Sequence, residues 1–227
     1  MERIIDQVLL QSDERIKPIV IRFMPLSDLT NDALHGIFAA TTTSTDRIGL
    51  AGSFSNKATL NLLAFATMEA ALVLQIPSKG GSFSYDLQDF FTSDQHSFYA
   101  FNAHILALSL FSDLQLTVNA LVDLQSATPK NSARDIVTTA QQLLDDSSTQ
   151  IYKDNFISLF QEDFLDADKE KNMMTLAQRA WIAHYLSSSK CAASAITTVP
   201  LINTLQWSTE VSLLHQLSVS LNVLYPM

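Results

Sequence analysis

Three apolar runs in close succession constrain this chain more than anything else in it: "RIGLAGSF" (47–54), "TLNLLAFAT" (59–67) and "AALVLQI" (70–76). Each is short, apolar and bounded by polar or small residues, the pattern of buried strands. Only "ME" separates the second run from the third, and that pair lacks the Asn-Gly or Gly chemistry of a tight hairpin. Leu, Ala and Met also favour helix, so a helical middle run stays open beside the strand reading.

The flanking segments extend the pattern. A charged opening, "MERIIDQVLLQSDERIK", reads as a helix, and "PIVIRFM" as a β-branched strand with proline at its entry. "PLSDLTNDALHGIFAA" puts Leu29, Leu34 and Ile37 on one side of a helix. Downstream, "LQDFFTS" forms a short helix, Phe98 to Phe101 a strand entering the helix of "NAHILALSL", and "NALVDLQSA" an extended stretch running into another helix. From Asn131 the pattern is helical through "NFISLFQEDFL" and "KNMMTLAQRAWIAHYLSSS" to "PLINTLQWSTEVSLLHQLSVSLNVLY". No repeat or Pro/Gly-rich linker divides the chain. The expectation is one α/β domain over residues 1–227, a mixed sheet flanked by helices, with a helical C-terminal half and extension from about 190 to 227.

Composition narrows the function classes. Charged residues are 16% of the 227, below the roughly 25% usual in soluble domains, which favours a partner or self-association surface. The net charge of -9 and the lack of a Lys/Arg run disfavour nucleic acid as a direct ligand, although net charge does not say where charges sit. The single cysteine, Cys191, excludes an internal disulfide or a multi-cysteine metal site, and an intracellular protein, nuclear or cytoplasmic, is expected. The longest apolar-looking run is broken by Asn61, Thr67 and Glu69, so no membrane span is expected.

The order of "PIVIRFMPLSDL", "RIGL", two further strands, "FNAHILALSL", "NALVDLQS" and "RAWIAHYL" resembles the RNase H-like domain of the DEDD family of 3′ to 5′ exonucleases, from about Pro18 to Ser189. In that family the first strand ends in Asp-x-Glu, which the resemblance places on Ala51 and Ser53. An Asp four residues after an Asn falls on Leu106, and the final Tyr/His-x-x-x-Asp falls on Gln178 and Ile182. Asp123 matches an acid often found at the next strand of the family. A two-metal nuclease needs carboxylates to hold cations roughly 4 Å apart, and Ala, Leu and Ile bind none while Ser offers one neutral oxygen.

The resemblance therefore implies a catalytically inactive exonuclease domain with no cofactor. Such members serve as scaffolds or adaptors in RNA-processing and small-RNA silencing complexes. The alternatives are an active metal-dependent exonuclease with displaced ligands, or a non-catalytic RNA-binding module. A protein partner or homodimer is expected, through Leu205, Leu214, Leu217 and Leu221 of the terminal helix.

Other constellations carry less. The acids at Asp86, Asp89, Asp94, Asp145, Asp146, Glu162, Asp163, Asp166 and Asp168 lack calcium-loop spacing, and the five histidines lack metal spacing. The aromatics between Phe83 and Phe101 have only Lys79 beside them, too little positive charge for a base-stacking surface.

Overall fold

Near-continuous apolar runs suit strands covered on both faces, and that is what the central strands become. The structure, a computed structural model, describes residues 2–5, 9–12, 18–38, 46–55, 59–77, 85–127, 136–144, 149–161, 165–205 and 207. In chain order the elements are β1 (Glu2–Ile5), β2 (Leu10–Ser12), β3 (Ile19–Pro25), α1 (Asn31–Phe38), β4 (Asp46–Phe54), β5 (Leu60–Ala66) and β6 (Ala70–Gln75). They continue as α2 (Tyr85–Thr92), β7 (His96–Ala100), α3 (Ala103–Leu114), β8 (Leu121–Asp123), α4 (Ile136–Leu144), β9 (Thr149–Ile151), α5 (Lys153–Phe160), α6 (Glu170–Ser188) and α7 (Lys190–Ile196).

Seven strands form one mixed sheet in the order β1-β3-β6-β5-β4-β7-β8, and β2 pairs with β9 in a second, two-stranded one. β5 lies antiparallel to both β4 and β6, whereas β4, β7 and β8 run parallel. The three apolar runs are thus strands, which settles the open choice at the middle run, and the "ME" pair turns the chain from β5 to β6 although it lacks the usual hairpin chemistry. There Thr67 N–H donates to the Ala70 carbonyl at 2.9 Å.

Each face of the sheet carries its own core. On one side Leu62, Ala64 and Val73 pack with Trp181, Ile182 and Leu186 of α6 and with Val137 and Leu143 of α4. On the other, Ile48, Leu50, Phe65 and Phe98 pack with Leu34 of α1, Phe90 and Phe91 of α2, and Leu110 of α3. The Phe65, Phe90, Phe91 and Phe98 rings meet with centroids 4.9–6.3 Å apart, so these aromatics serve the core.

Three expectations change. The opening is not helical where it is described: β1 adds to the free edge of β3, with Arg3 opposite Ile21, and β2 pairs with the unpredicted β9. Pairing supplied by distant chain segments overrides the local preference of such short stretches. The terminal helix also does not begin at Pro200. Ile202 exchanges backbone hydrogen bonds of 2.8 and 3.2 Å with Leu121, and Thr204 N–H donates to the Val118 carbonyl at 2.9 Å. The outer edge of β8 needs a partner, and an extended segment satisfies it where a helix would not.

Gly49 lets α6 lie against the centre of the sheet. A Cβ there would stand 1.9 Å from the Ala180 carbonyl oxygen and 2.6 Å from the His184 nitrogen, both backbone atoms. A Cβ at Gly52 would instead meet the ends of Leu106 and Leu60, flexible side chains that can turn aside. Gly49→Ala should therefore destabilise the fold by about 3 kcal/mol or more, and Gly52→Ala by clearly less. Urea unfolding of the two variants checks the order, and equal losses would contradict this account of the packing.

Candidate functional site at the carboxyl end of β4

In open α/β sheets, ligand crevices form beyond the carboxyl ends of parallel strands, where neighbouring connections depart in different directions. Here that place is the end shared by β4, β7 and β8. Pairing of β4 with β7 stops at Gly49 opposite Tyr99, so residues 50–54 of β4 continue with a neighbour only on the β5 side. After β7 the chain turns through Asn102, whose left-handed φ of 54° an asparagine tolerates, and enters α3.

The positions picked out from sequence converge on this stretch, though not from one side. Ala51 packs in the core on the α6 face, together with Ile182. Ser53 lies on the same face of the strand, two residues on. Leu106 reaches the strand from the opposite face, where its side chain fills the space over Gly52. All four are closed to solvent: Ala51 is 8% exposed, Leu106 3%, and Ser53 and Ile182 0%. Gln178 is half-buried on α6, one turn earlier.

Ser53 has an assigned task. Its Oγ accepts the Leu165 N–H at 2.8 Å and faces the Leu165 carbonyl at 3.4 Å, while Asn61 Nδ2 donates to that carbonyl at 2.8 Å. Leu165 is itself buried, so the segment leading into α6 lies directly on the end of β4. Asn61 was visible in sequence only as an interruption of an apolar run. Nothing local signalled that residue 165 would fold back to meet it.

Asp123 is the acid that β8 brings to this end, and it is engaged. Its Oδ1 accepts the Ala103 N–H at 3.3 Å and its Oδ2 the Ser126 hydroxyl at 2.6 Å. It therefore caps the first turn of α3, where backbone donors lack helical partners and a negative charge is favoured. Gln125 Oε1 accepts the Asn102 N–H at 2.9 Å and steadies the same turn.

An RNase H-like nuclease site implies divalent cations, and the donors at these four positions do not fit them. Mg²⁺ requires hard oxygen ligands, whereas three of the side chains are hydrocarbon and the fourth is hydrogen-bonded to backbone. Among the described residues no three His, Cys, Asp or Glu side chains gather as a metal-binding group. Asp145, Asp146, Glu162 and Asp163 lie outside the described residues, as do Leu214, Leu217 and Leu221. Leu205 is exposed, in a turn beside the strand-like segment on β8. None of the helices among the described residues is long and apolar enough to cross a membrane.

At the opposite end of β4, Arg47 anchors α6. Its guanidinium donates to the Ser187 carbonyl in the last turn of that helix and sits 5.9 Å from the centre of the Tyr99 ring. The Arg47 carbonyl accepts from Nδ1 of His184, 2.9 Å away. Burial pushes the His184 imidazole below the usual histidine range, and the Arg47 charge adds to this while the hydrogen bond opposes it.

No family model matches the chain, and no curated protein matches it in sequence. Solved structures do. Brucella melitensis NrnC matches with a TM-score of 0.54 and 12% identity, covering 90% of this chain and 93% of its own. Escherichia coli RNase D, an exoribonuclease involved in structured RNA processing, gives 0.56 and 11%, covering 88% of this chain but only 50% of that one. The EXO domain of Aedes aegypti Nibbler gives 0.53 and 11%, covering 94% and 99%. Identities this low speak for architecture alone: the chain has the RNase H-like exonuclease fold, the α/β class expected from sequence.

Two outcomes test the site. Leu106→Asp would place a carboxylate against Gly52 with no counter-charge, and should lower stability by about 3–5 kcal/mol in urea. Millimolar Mn²⁺ should leave the unfolding midpoint unmoved, since only a ligand bound by the folded state raises it. For His184, the unfolded chain takes up a proton first as pH falls through the ordinary value of 6.5. Stability should therefore be fully present above that pH and decline below it, until the folded state protonates as well. The urea midpoint should drop from pH 7.5 to 5.5 in the native chain and drop less in His184→Gln.

Proposed function

We propose that this domain is a non-catalytic relative of DEDD exonucleases that acts through protein contacts, as a scaffold or adaptor in an RNA-processing or RNA-silencing complex. One observation carries the reading. The residues at the four positions where the resemblance places metal-binding acids are neutral, buried and built into the two cores. A metal-dependent nuclease needs those positions anionic and reachable by substrate.

The pathway part of the proposal rests on likeness of fold, supported by the role of Escherichia coli RNase D in structured RNA processing. The composition supports the protein-contact part: a chain with 16% charged residues and a net charge of -9 suits a protein surface better than a phosphate backbone. Leu205, one of the expected interaction residues, is exposed beside the β8 edge, as is Leu201. The same surface is open to a second copy of the chain.

Incubation of the purified chain with single-stranded RNA and DNA in Mg²⁺ or Mn²⁺ tests the proposal. The expected result is no trimming above a metal-chelated control. Metal-dependent 3′ trimming that co-purifies with the protein would overturn it in favour of an active exonuclease with displaced ligands. Oligonucleotide binding without trimming, weakening steeply as salt rises, would favour an RNA-binding module instead.

A further inference from the structure

The segment that reaches α6 across the end of β4 does more than connect two elements. Leu165 is buried, and both of its backbone polar groups are taken by side chains of the sheet: its N–H by Ser53 Oγ at 2.8 Å, its carbonyl by Asn61 Nδ2 at 2.8 Å. Ser53 and Asn61 belong to adjacent strands, β4 and β5. Three residues further on, Gln75 of β6 donates through Nε2 to Asp168 at 3.4 Å. The segment is thus bonded in turn to three neighbouring strands, at the end where a ligand of this fold would approach.

We propose that residues 165–168 are a built-in plug, latched by Ser53 and Asn61, that keeps the carboxyl end of β4 shut against ligands. The plug rests on the scaffold reading, since it occupies the volume that anything held by the side chain at position 53 would need. The Ser53 hydroxyl has one lone pair taken by the Leu165 N–H and its proton facing the matching carbonyl, and the lone pair that remains is closed to a solvent-borne cation or phosphate by the complete burial of the side chain. The latch is neutral, so it needs no metal and is little affected by salt. Among the described residues the buried Asn61 Oδ1 atom has no hydrogen-bond partner, and the amide is oriented by its bond from Nδ2 to the Leu165 carbonyl.

Amide hydrogen exchange tests the latch in the intact chain. The Leu165 amide should be protected in the native protein and should exchange about tenfold faster in Ser53→Ala, while amides of β5 and β6 keep their protection. Asn61→Ala provides an independent variant should the first fail to fold, with the same local acceleration expected. A Leu165 amide that exchanges freely in the native chain, or one indifferent to both substitutions, would overturn the latch.

Titration of the native chain with a single-stranded oligouridylate and with Mn²⁺, followed by NMR, tests the closure. No change is expected at the Gly52, Ser53 and Leu165 amides, and a saturable change there would overturn the plug. The two proposals fail separately: nuclease activity with the Leu165 amide still protected sinks the scaffold reading alone, and an open crevice without activity sinks only the plug.

Discussion

The close approach of α6 to β4 at Gly49 governs the rest of the molecule. Because no side chain intervenes, the helix backbone between Ala180 and His184 rests on the strand, and Ile182 is carried into the core with it. That contact sets the height at which the segment before the helix crosses the sheet, and so brings Leu165 to Ser53. Arg47 fixes the other end by holding the last turn of α6. A single strand thus locates the helix at both ends, and both cores form around the result.

The chemistry of the site follows from that packing. The side chains singled out at this end are hydrocarbon or hydrogen-bonded, the Asn61 Oδ1 atom being the exception among the described residues. Asp123, the acid at the carboxyl end of β8, is committed to the start of α3. Polar atoms at this end serve backbone donors and acceptors, the role buried polar groups usually have. The scaffold proposed above builds on these engaged groups.

Much of this was legible in the residues. The runs at 47–54, 59–67 and 70–76 announced a sheet because continuous apolar strands need cover on both faces; α4 and α6 of the helical second half supplied one cover, and α1, α2 and α3 the other. "IGLAGSF" marked the strand end at which the neutral positions lie. What stayed hidden depends on partners distant in sequence. Residues 2–5 became a strand because β3 had a free edge, and residues 200–204 stayed extended because β8 had one. The role of Leu165 was equally invisible, since a leucine in a loop gives no sign of the serine 112 residues earlier that will hold it. Asp123, matched to an acid of the exonuclease family, gave no hint that its bonds would go to Ala103 and Ser126.

The bond between Ser53 and Leu165 also limits where this sequence can go by single steps. A glutamate at position 53 would lose the hydroxyl's pairing, push out a buried leucine, and stand as an uncompensated anion until enough further acids accompanied it to hold a cation. Each lone acid is worse than none, and only several together could share a cation. Between the present arrangement and a metal-binding one lies a valley of unstable intermediates, which makes neutrality at this strand end self-perpetuating.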